Sequence, residues 1–171
     1  MQIKHIFKIT FFALVLGFGF SKCTSILGNT SVDTDTAFVL SKEDRLRKDI
    51  VDYSKKQLGT KYVYAGRDTR GFDCSGFTYY VMRNFDVKLS TNSRAQAKEG
   101  AKVDLKKAKE GDLIFFKRSK AGKVFHVAMV VSNKKDGLTV IHSTSRGVVV
   151  DNISKSKYWK PKIWTARSVL K

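Results

Sequence analysis

The first pattern in the chain is an amphipathic helix with polar caps. Ser41 precedes it as an N-cap, with Asp44 three residues later, and Gly59 follows it as a stop. Between the caps, apolar residues recur at helical spacing. The apolar stripe consists of Leu46, Ile50, Tyr53 and Leu58. We interpret this helix as structural.

A second helix is predicted to begin at Cys74. Phe77 and Val81 recur at helical spacing, and Asp73 stands directly before the helix as a cap. The helix should end near Asn84. Unpaired backbone N–H groups and the helix dipole stabilise an anion in the first turn. We therefore expect the Cys74 thiol to lose its proton more easily than an ordinary cysteine.

The C-terminal half alternates short apolar segments with turn residues, a pattern typical of β-strands. The predicted strands are residues 113–116, 124–132, 138–144, 148–150 and 162–170. Residues 133–137 contain Asp-Gly and predict a hairpin loop, whereas residues 102–110 are predicted to be a basic connector. The pattern predicts an antiparallel sheet covered by the helix that carries Cys74.

The predicted hairpin brings two histidines together. If Ser132 opposes Leu138, His126 and His142 are diagonal neighbours on one face of the sheet. Their backbones would then lie about 7–8 Å apart, a distance that two imidazole rings can bridge. A slip of one residue would place the rings on opposite faces. The register is therefore an explicit prediction.

The N-terminus is typical of an export signal. Lys4 and Lys8 precede an apolar run at residues 9–20, which is too short for a comfortable membrane span. Cys23 follows, as in bacterial lipoprotein signals, in which such a cysteine is lipidated. Lys22 departs from the usual small-residue pattern. An ordinary cleaved signal and an uncleaved anchor stay as alternatives, and all three interpretations export the protein.

These patterns divide the chain into three parts. Residues 1–22 are interpreted as a lipoprotein-type signal peptide, residues 23–40 as the lipidated Cys23 with a flexible tether, and residues 41–171 as one domain. We expect an exported protein that is lipid-anchored to a bacterial membrane in the cell envelope. Of the two membranes, the outer membrane facing the periplasm is preferred.

Composition narrows the class of partner. The chain has 171 residues, 42% of them hydrophobic, and a formal net charge of +18. An exported basic protein meets the anionic cell envelope, and the sequence contains no zinc-finger or RNA-binding motif, so we expect no nucleic-acid partner.

If Cys23 is lipidated, Cys74 is the one remaining cysteine and has no disulfide partner within the chain. We expect a monomer.

A cysteine at a helix start and two histidines on a sheet are the groups that nucleophilic catalysis requires. Cys74 would attack a carbonyl carbon, and His126 would accept the thiol proton and return it to the leaving amine. His142 would hold the His126 ring in the useful orientation. Backbone N–H groups at the helix start, with the hydroxyl of Tyr62, would stabilise the oxyanion.

Four motifs follow one another in the chain. They are Phe-Asp-Cys-Ser-Gly-Phe at 72–77, Gly-Asp-Leu-Ile-Phe-Phe at 111–116, His-Val-Ala-Met-Val-Val at 126–131 and Val-Ile-His-Ser at 140–143. In order, spacing and local context, this set resembles the NlpC family of bacterial cell-wall cysteine peptidases. The resemblance covers roughly residues 49–171.

The resemblance implies a papain-like α+β domain, with an antiparallel sheet packed against a helix that carries the nucleophilic cysteine at its N-terminus. It implies a thiol endopeptidase that hydrolyses peptide bonds of the peptidoglycan stem or cross-link. The implied Cys-His-His triad is Cys74, His126 and His142, and no metal or other cofactor is expected.

The resemblance also suggests residues that contact the substrate. Tyr62 matches the family's tyrosine near the nucleophile, and Asp73 and Ser75 match positions that contact the amino end of the substrate in some members. Ala65 stands where the family usually has glycine, a departure that concerns the fit of the substrate. The bond that is cleaved stays open among the D-glutamyl–diamino-acid bond, the D,D cross-link and the muramyl–alanine amide.

Two other functions stay open at this point. A zinc-dependent hydrolase would use the Cys-His-His set and a water molecule as ligands, although the sequence shows no carboxylate clearly paired with either histidine. A non-catalytic envelope-binding or scaffold protein would bind the wall without cleaving it. Chelators would inactivate the zinc-dependent hydrolase. Binding of the wall by the scaffold protein would not change in Cys74→Ser.

Overall fold

The structure is a computed structural model that describes residues 40–170. The predicted signal peptide, Cys23 and nearly all of the tether lie outside the described residues and stay predictions. Within residues 40–170, no helix is both long enough and apolar enough to cross a membrane.

The described residues form an α+β fold, as predicted. The helices are α1 (Lys42–Lys55), α2 (Cys74–Arg83) and α3 (Ser93–Gln96). The strands are β1 (Arg67–Asp68), β2 (Gly71–Phe72), β3 (Ala101–Val103), β4 (Leu113–Lys117), β5 (Val124–Lys134), β6 (Gly137–Thr144), β7 (Gly147–Asn152) and β8 (Ile163–Ser168). Strands β3 to β8 make one antiparallel sheet in the order β3-β8-β4-β5-β6-β7, and β1 pairs with β2.

Both predicted N-caps are confirmed. Ser41 accepts a hydrogen bond from the backbone N–H of Asp44 at 3.0 Å, and Asp73 accepts one from Gly76 at 2.6 Å. Helix α2 ends at Arg83 with Asn84 as its C-cap, so its predicted end near Asn84 is also confirmed. The predicted stripe of α1 was too long, because the helix ends at Lys55 and Leu58, beyond it, is 50% exposed.

The sheet has an apolar layer on each face. On the helical face, α2 residues such as Phe77 and Val81 pack against Val127, Met129 and Ile141 of the sheet. The opposite face is covered by the chain segments before β4 and before β8. Its cluster includes Ala108, Ile114, Phe116, Ala128, Val130, Leu138, Val140, Ile153 and Ala166. Each strand of the centre is therefore buried on both sides.

The hairpin register differs from the prediction near its turn. Ser132 opposes Thr139 rather than Leu138, and the strands reach further than predicted, so the turn consists of two residues rather than residues 133–137. A β-bulge at Val131 shifts the register by one residue. Beyond it Met129 opposes Ile141, which is the predicted pairing. The bulge thus restores the register on which the histidine prediction depends.

Part of the predicted connector, residues 102–110, is also an element of the sheet. Lys102 and Val103 belong to β3, which pairs with β8 at the sheet edge, and Leu105–Lys107 form a 3₁₀ turn. Three residues are too few for a recognisable alternation of polar and apolar side chains. The sequence therefore offered no pattern for this strand.

Gly76 allows the start of α2 to approach the preceding loop. A Cβ atom at this position would overlap the carbonyl oxygen of Gly66, which also accepts a hydrogen bond from the Asp73 backbone at 3.1 Å. Alanine usually stabilises a helix interior relative to glycine by about 0.5–1 kcal/mol. Here we expect Gly76→Ala to lower the free energy of unfolding by about 1–3 kcal/mol, because the backbone of α2 or of the Gly66 loop must move to make room for the added methyl group.

Chemical denaturation of the full chain measures this effect. An unchanged or higher free energy of unfolding for Gly76→Ala would contradict the close approach of α2 and the Gly66 loop.

Candidate active site

Cys74 is the first residue of α2 and lines a cleft of about 680 Å³. Burial raises the pKa of its thiol to about 11. The backbone N–H of Val127 opposes the rise by favouring the thiolate, whereas the Asp73 carboxylate adds to it. The expectation of an easily ionised thiol is therefore wrong, because loss of hydration outweighs the N–H groups at the helix start.

His126 on β5 and His142 on β6 are brought together as predicted. Nε2 of His126 and Nδ1 of His142 are 3.0 Å apart, and both side chains are buried. Burial and the neighbouring His142 hold the pKa of His126 well below its usual range. Burial also lowers the pKa of His142, although the Asp151 carboxylate opposes that shift. Both rings are therefore neutral in the resting site.

Both histidines lie on the face of the sheet opposite to the one that α2 covers. His126 opposes Phe116, a residue of the non-helical face, and the two rings are 5.5 Å apart between centroids. Within residues 40–170, the paired register of β5 and β6 ends at Met129 and Ile141, although both strands continue. Beyond this point Cys74 from one face and His126 from the other line a single cleft, and His142 is buried next to His126.

Asp151 on β7 is a site residue that the sequence analysis missed. Its Oδ2 lies 3.0 Å from Nε2 of His142 and also accepts a hydrogen bond from Arg146. His142 therefore has a carboxylate partner that was not evident from the sequence. A pairing of β6 with β7 would have found it, because Val149 opposes His142 and Asp151 lies two residues further on the same face.

Trp159 is a second residue that the sequence did not indicate. It lies just before the 3₁₀ turn at Lys160–Lys162, and its ring stacks on His126 with centroids 4.6 Å apart. The His142 ring is 5.0 Å from it. This indole shields the imidazole pair from water and, by its negative face, favours a cation formed there. No local pattern marks a loop residue that packs over distant strands.

Tyr62 lines the same cleft as Cys74 and is 42% exposed. Burial raises the pKa of its hydroxyl, and the negative charges that Cys74 and Asp73 can carry raise it further. The hydroxyl is therefore protonated at neutral pH and able to donate a hydrogen bond. This placement is compatible with the predicted oxyanion role.

Asp73 and Ser75 flank the nucleophile and take part in the helix cap. The Ser75 hydroxyl donates a hydrogen bond to Oδ1 of Asp73 at 3.0 Å, and the same oxygen accepts from the backbone of Gly76. Ser75 is buried, whereas Asp73 is partly exposed. Their shared task in the described residues is to fix the start of α2, and a substrate contact stays a prediction.

The arrangement of nitrogen atoms favours proton transfer over metal binding. In the described part of the chain, no group of three or more His, Cys, Asp and Glu side chains is placed to hold a metal ion. His142 directs Nδ1 at His126 and Nε2 at Asp151. A metal bound through His142 would have to break one of these two hydrogen bonds.

The pKa shifts predict how Cys74 reacts with iodoacetamide. Because the thiol pKa is raised and the His126 pKa is lowered, the proton stays on sulfur at neutral pH. Since the thiolate is the nucleophile, the alkylation rate should rise about tenfold per pH unit between about pH 7 and 9. Mass spectrometry of the Cys74 peptide measures the rate. A rate that is constant from about pH 5 to 8 would show a resting thiolate–imidazolium pair and contradict this assignment.

Comparison with known proteins identifies the family. The model of the NlpC/P60 family matches residues 59–168. The "Probable endopeptidase NlpC" of Escherichia coli (strain K12) is 38% identical over 116 residues, which are 65% of this chain and 70% of that protein. The "Gamma-D-glutamyl-L-lysine dipeptidyl-peptidase" of Bacillus cereus (strain ATCC 10987 / NRS 248) is 38% identical over 96 residues, which are 56% of this chain but 28% of that protein.

A solved structure agrees with the sequence relatives. The crystal structure of the NlpC/p60 domain of the peptidoglycan hydrolase SagA is 31% identical, with a TM-score of 0.59, and the match covers 71% of this chain and 97% of that one. The family match contains all four motifs, so the predicted resemblance is confirmed. The chain therefore belongs to the NlpC/P60 family and is a peptidase of the cysteine class.

Proposed function

We propose that the chain is a peptidoglycan hydrolase, an endopeptidase that cleaves peptide bonds of the stem or cross-link through Cys74, His126 and His142. The observation that carries this proposal is the cleft that Cys74 and His126 both line, with the His126 ring hydrogen-bonded to the buried ring of His142. The peptidoglycan hydrolase SagA, whose domain is similar over 97% of its length, supports the class of substrate.

The reaction follows from the protonation states. His126 removes the thiol proton as Cys74 sulfur attacks the carbonyl carbon, since a thiol with a raised pKa does not ionise beforehand. The oxyanion is stabilised by backbone N–H groups at the start of α2 and by the Tyr62 hydroxyl. His126 then gives the proton to the leaving amine. In the second half, His126 takes a proton from water, the hydroxide attacks the thioester, and the proton returns to sulfur as the acid leaves.

His142 and Trp159 support the charge that forms on His126. The imidazolium hydrogen-bonds through Nε2 to Nδ1 of His142, and the Trp159 ring lies 4.6 Å from it. Both contacts matter most at the moment when His126 is positive. They therefore favour the transition state over the resting neutral ring.

Two residues beside the nucleophile are proposed to bind the amino end of the substrate. Within residues 40–170, both hydrogen bonds to the Asp73 carboxylate use Oδ1, so Oδ2 is the oxygen we assign to an ammonium group. Ser75 holds the carboxylate in position. Among the three candidate bonds, the similarity to the gamma-D-glutamyl-L-lysine dipeptidyl-peptidase of Bacillus cereus favours the D-glutamyl–diamino-acid bond.

We further propose that the protein acts in the cell envelope. The N-terminal pattern and the lipidation of Cys23 would anchor it to a bacterial membrane, with the outer membrane facing the periplasm preferred. Removal of residues 1–22 takes away Lys4, Lys8 and Lys22 and no acidic residue, so the remaining net charge of 18 − 3 = +15 would add attraction to anionic wall polymers. This electrostatic attraction would weaken as salt concentration rises.

Incubation of the full chain with purified peptidoglycan tests the proposed function. New free amino groups should appear, at the same rate with and without a chelator such as EDTA. Loss of activity in EDTA would favour the zinc-dependent hydrolase. Sedimentation of the protein with the wall without any new amino groups would favour the binding or scaffold protein.

A further inference from the structure

The carboxylate of Asp151 ends a line of hydrogen-bonded groups that leads to the nucleophile. It lies next to His142, whose other nitrogen faces His126, and both spacings are 3.0 Å. The Asp151 side chain is 20% exposed, whereas the His142 side chain is fully buried. The Asp151 end of this hydrogen-bonded series is therefore open to the cleft, whereas His142 in its middle is shielded from solvent.

The carboxylate is ionised in the resting protein. Although burial raises the pKa of Asp151, its hydrogen bond with His142 and the charge of Arg146 hold that pKa below the ordinary value. The charged groups that contact it come from two neighbouring segments: His142 from β6 and Arg146 from the turn after β6. An ionised carboxylate accepts hydrogen bonds and cannot donate them.

The hydrogen bond between His142 and the ionised Asp151 carboxylate determines which ring nitrogen of each histidine carries the proton. Because Asp151 only accepts, His142 must carry its proton on Nε2 and leave Nδ1 as an acceptor. Nδ1 of His142 then accepts a hydrogen bond from the N–H at Nε2 of His126. Nδ1 of His126 is thereby left without a proton, which is the state that a base for the thiol requires.

We infer that Asp151 is a positioning residue of the active site, which fixes the tautomers of His142 and His126 so that Nδ1 of His126 is free to accept the Cys74 proton. This inference rests on the proposed function for its kinetic consequences. Asp151 does not touch the reacting atoms. Its effect passes through His142 alone, and Arg146 keeps the carboxylate charged and in place.

Asparagine at this position is the most informative change. Asp151→Asn keeps the size of the side chain, but its amide can also donate a hydrogen bond to Nε2 of His142. His142 would then carry its proton on Nδ1 and donate it in a hydrogen bond to Nε2 of His126. His126 would in turn carry its own proton on Nδ1. We expect kcat of the full chain on a peptidoglycan stem peptide to fall at least about 10-fold, with KM little changed.

Asp136→Asn is the matched control. Asp136 lies exposed in the turn between β5 and β6, the two strands that carry His126 and His142. This variant should retain the wild-type kcat. An Asp151→Asn variant with wild-type kcat, or one in which KM alone changes, would overturn the inference.

Nitrogen NMR of the wild-type chain tests the tautomers directly and needs no variant. With ¹⁵N-labelled histidine, the ring of His142 and the ring of His126 should each show a protonated Nε2 and a bare Nδ1 at neutral pH. In Asp151→Asn, protonated Nδ1 should appear. A proton on Nδ1 of His142 in the wild type would overturn the inference, as would unchanged tautomers in an inactive Asp151→Asn variant.

The two hypotheses fail in different ways. If the wild-type chain cleaves no peptidoglycan peptide, the proposed function fails, but the NMR measurement still decides the role of Asp151. If Asp151→Asn does not fold, the wild-type tautomers decide alone.

Discussion

Replacing Cys74 by alanine should abolish turnover and leave the fold intact. The sulfur forms the bond to the substrate carbonyl in the proposed reaction, so no neighbouring group can replace it. The side chain of Cys74 is partly buried at the edge of the helical-face cluster, and alanine is a smaller residue that favours a helix, so it fits at this first position of α2. We expect kcat on a stem peptide to fall at least about 10³-fold.

The control for Cys74→Ala is a measurement that the variant is still folded. Circular dichroism and the thermal unfolding midpoint of Cys74→Ala should match those of the wild-type chain closely. Residual activity within tenfold of wild type would contradict the role of Cys74 as nucleophile. Cys74→Ser keeps a polar atom in place and should also be nearly inactive, since a hydroxyl ionises with far more difficulty than a thiol.

Loss of His126 should be nearly as severe as loss of Cys74, and loss of His142 should be milder. In the proposed reaction His126 moves protons in both halves, whereas His142 orients it through the 3.0 Å contact. We expect His126→Ala to lower kcat at least about 10³-fold. The loss in His142→Ala should be smaller by at least about tenfold, because water can replace part of an orienting contact.

His142→Gln is the companion variant, because His142 is fully buried and alanine would leave a cavity beside Trp159. Glutamine retains a hydrogen-bonding group and fills more of the space. Kinetics at saturating substrate, together with unfolding midpoints, separate the chemical effect from a loss of stability. Equal losses of kcat in His126→Ala and His142→Ala would contradict the separate roles.

Local patterns were sufficient for the elements that carry the three proposed catalytic residues. Asp73 is a strong cap, and Phe77 and Val81 define the buried stripe of α2, so the position of Cys74 could be read from the sequence. The apolar runs of β4 to β8 were equally clear. The histidine pair was also predicted, although the assumed pairing of Ser132 was one residue off and the bulge at Val131 compensated for it.

The positions of the residues around the proposed triad depend on contacts between distant segments. Asp151 reaches His142 through the pairing of β6 with β7, and Trp159 covers both rings from a loop. The face of the sheet that α2 covers is likewise a matter of tertiary packing. The raised pKa of Cys74 follows from the same cause, since burial is a property of the whole fold rather than of the first turn of a helix.

Mass spectrometry of digested peptidoglycan is the most direct test of the central claim. Purified wall is incubated with the full chain and, in parallel, with its Cys74→Ala variant, and the soluble fragments are sequenced. The account predicts fragments with new peptide termini, from the wild-type chain alone, and these termini identify the cleaved bond. Fragments from both proteins, fragments from neither, or fragments cut within the glycan would contradict it.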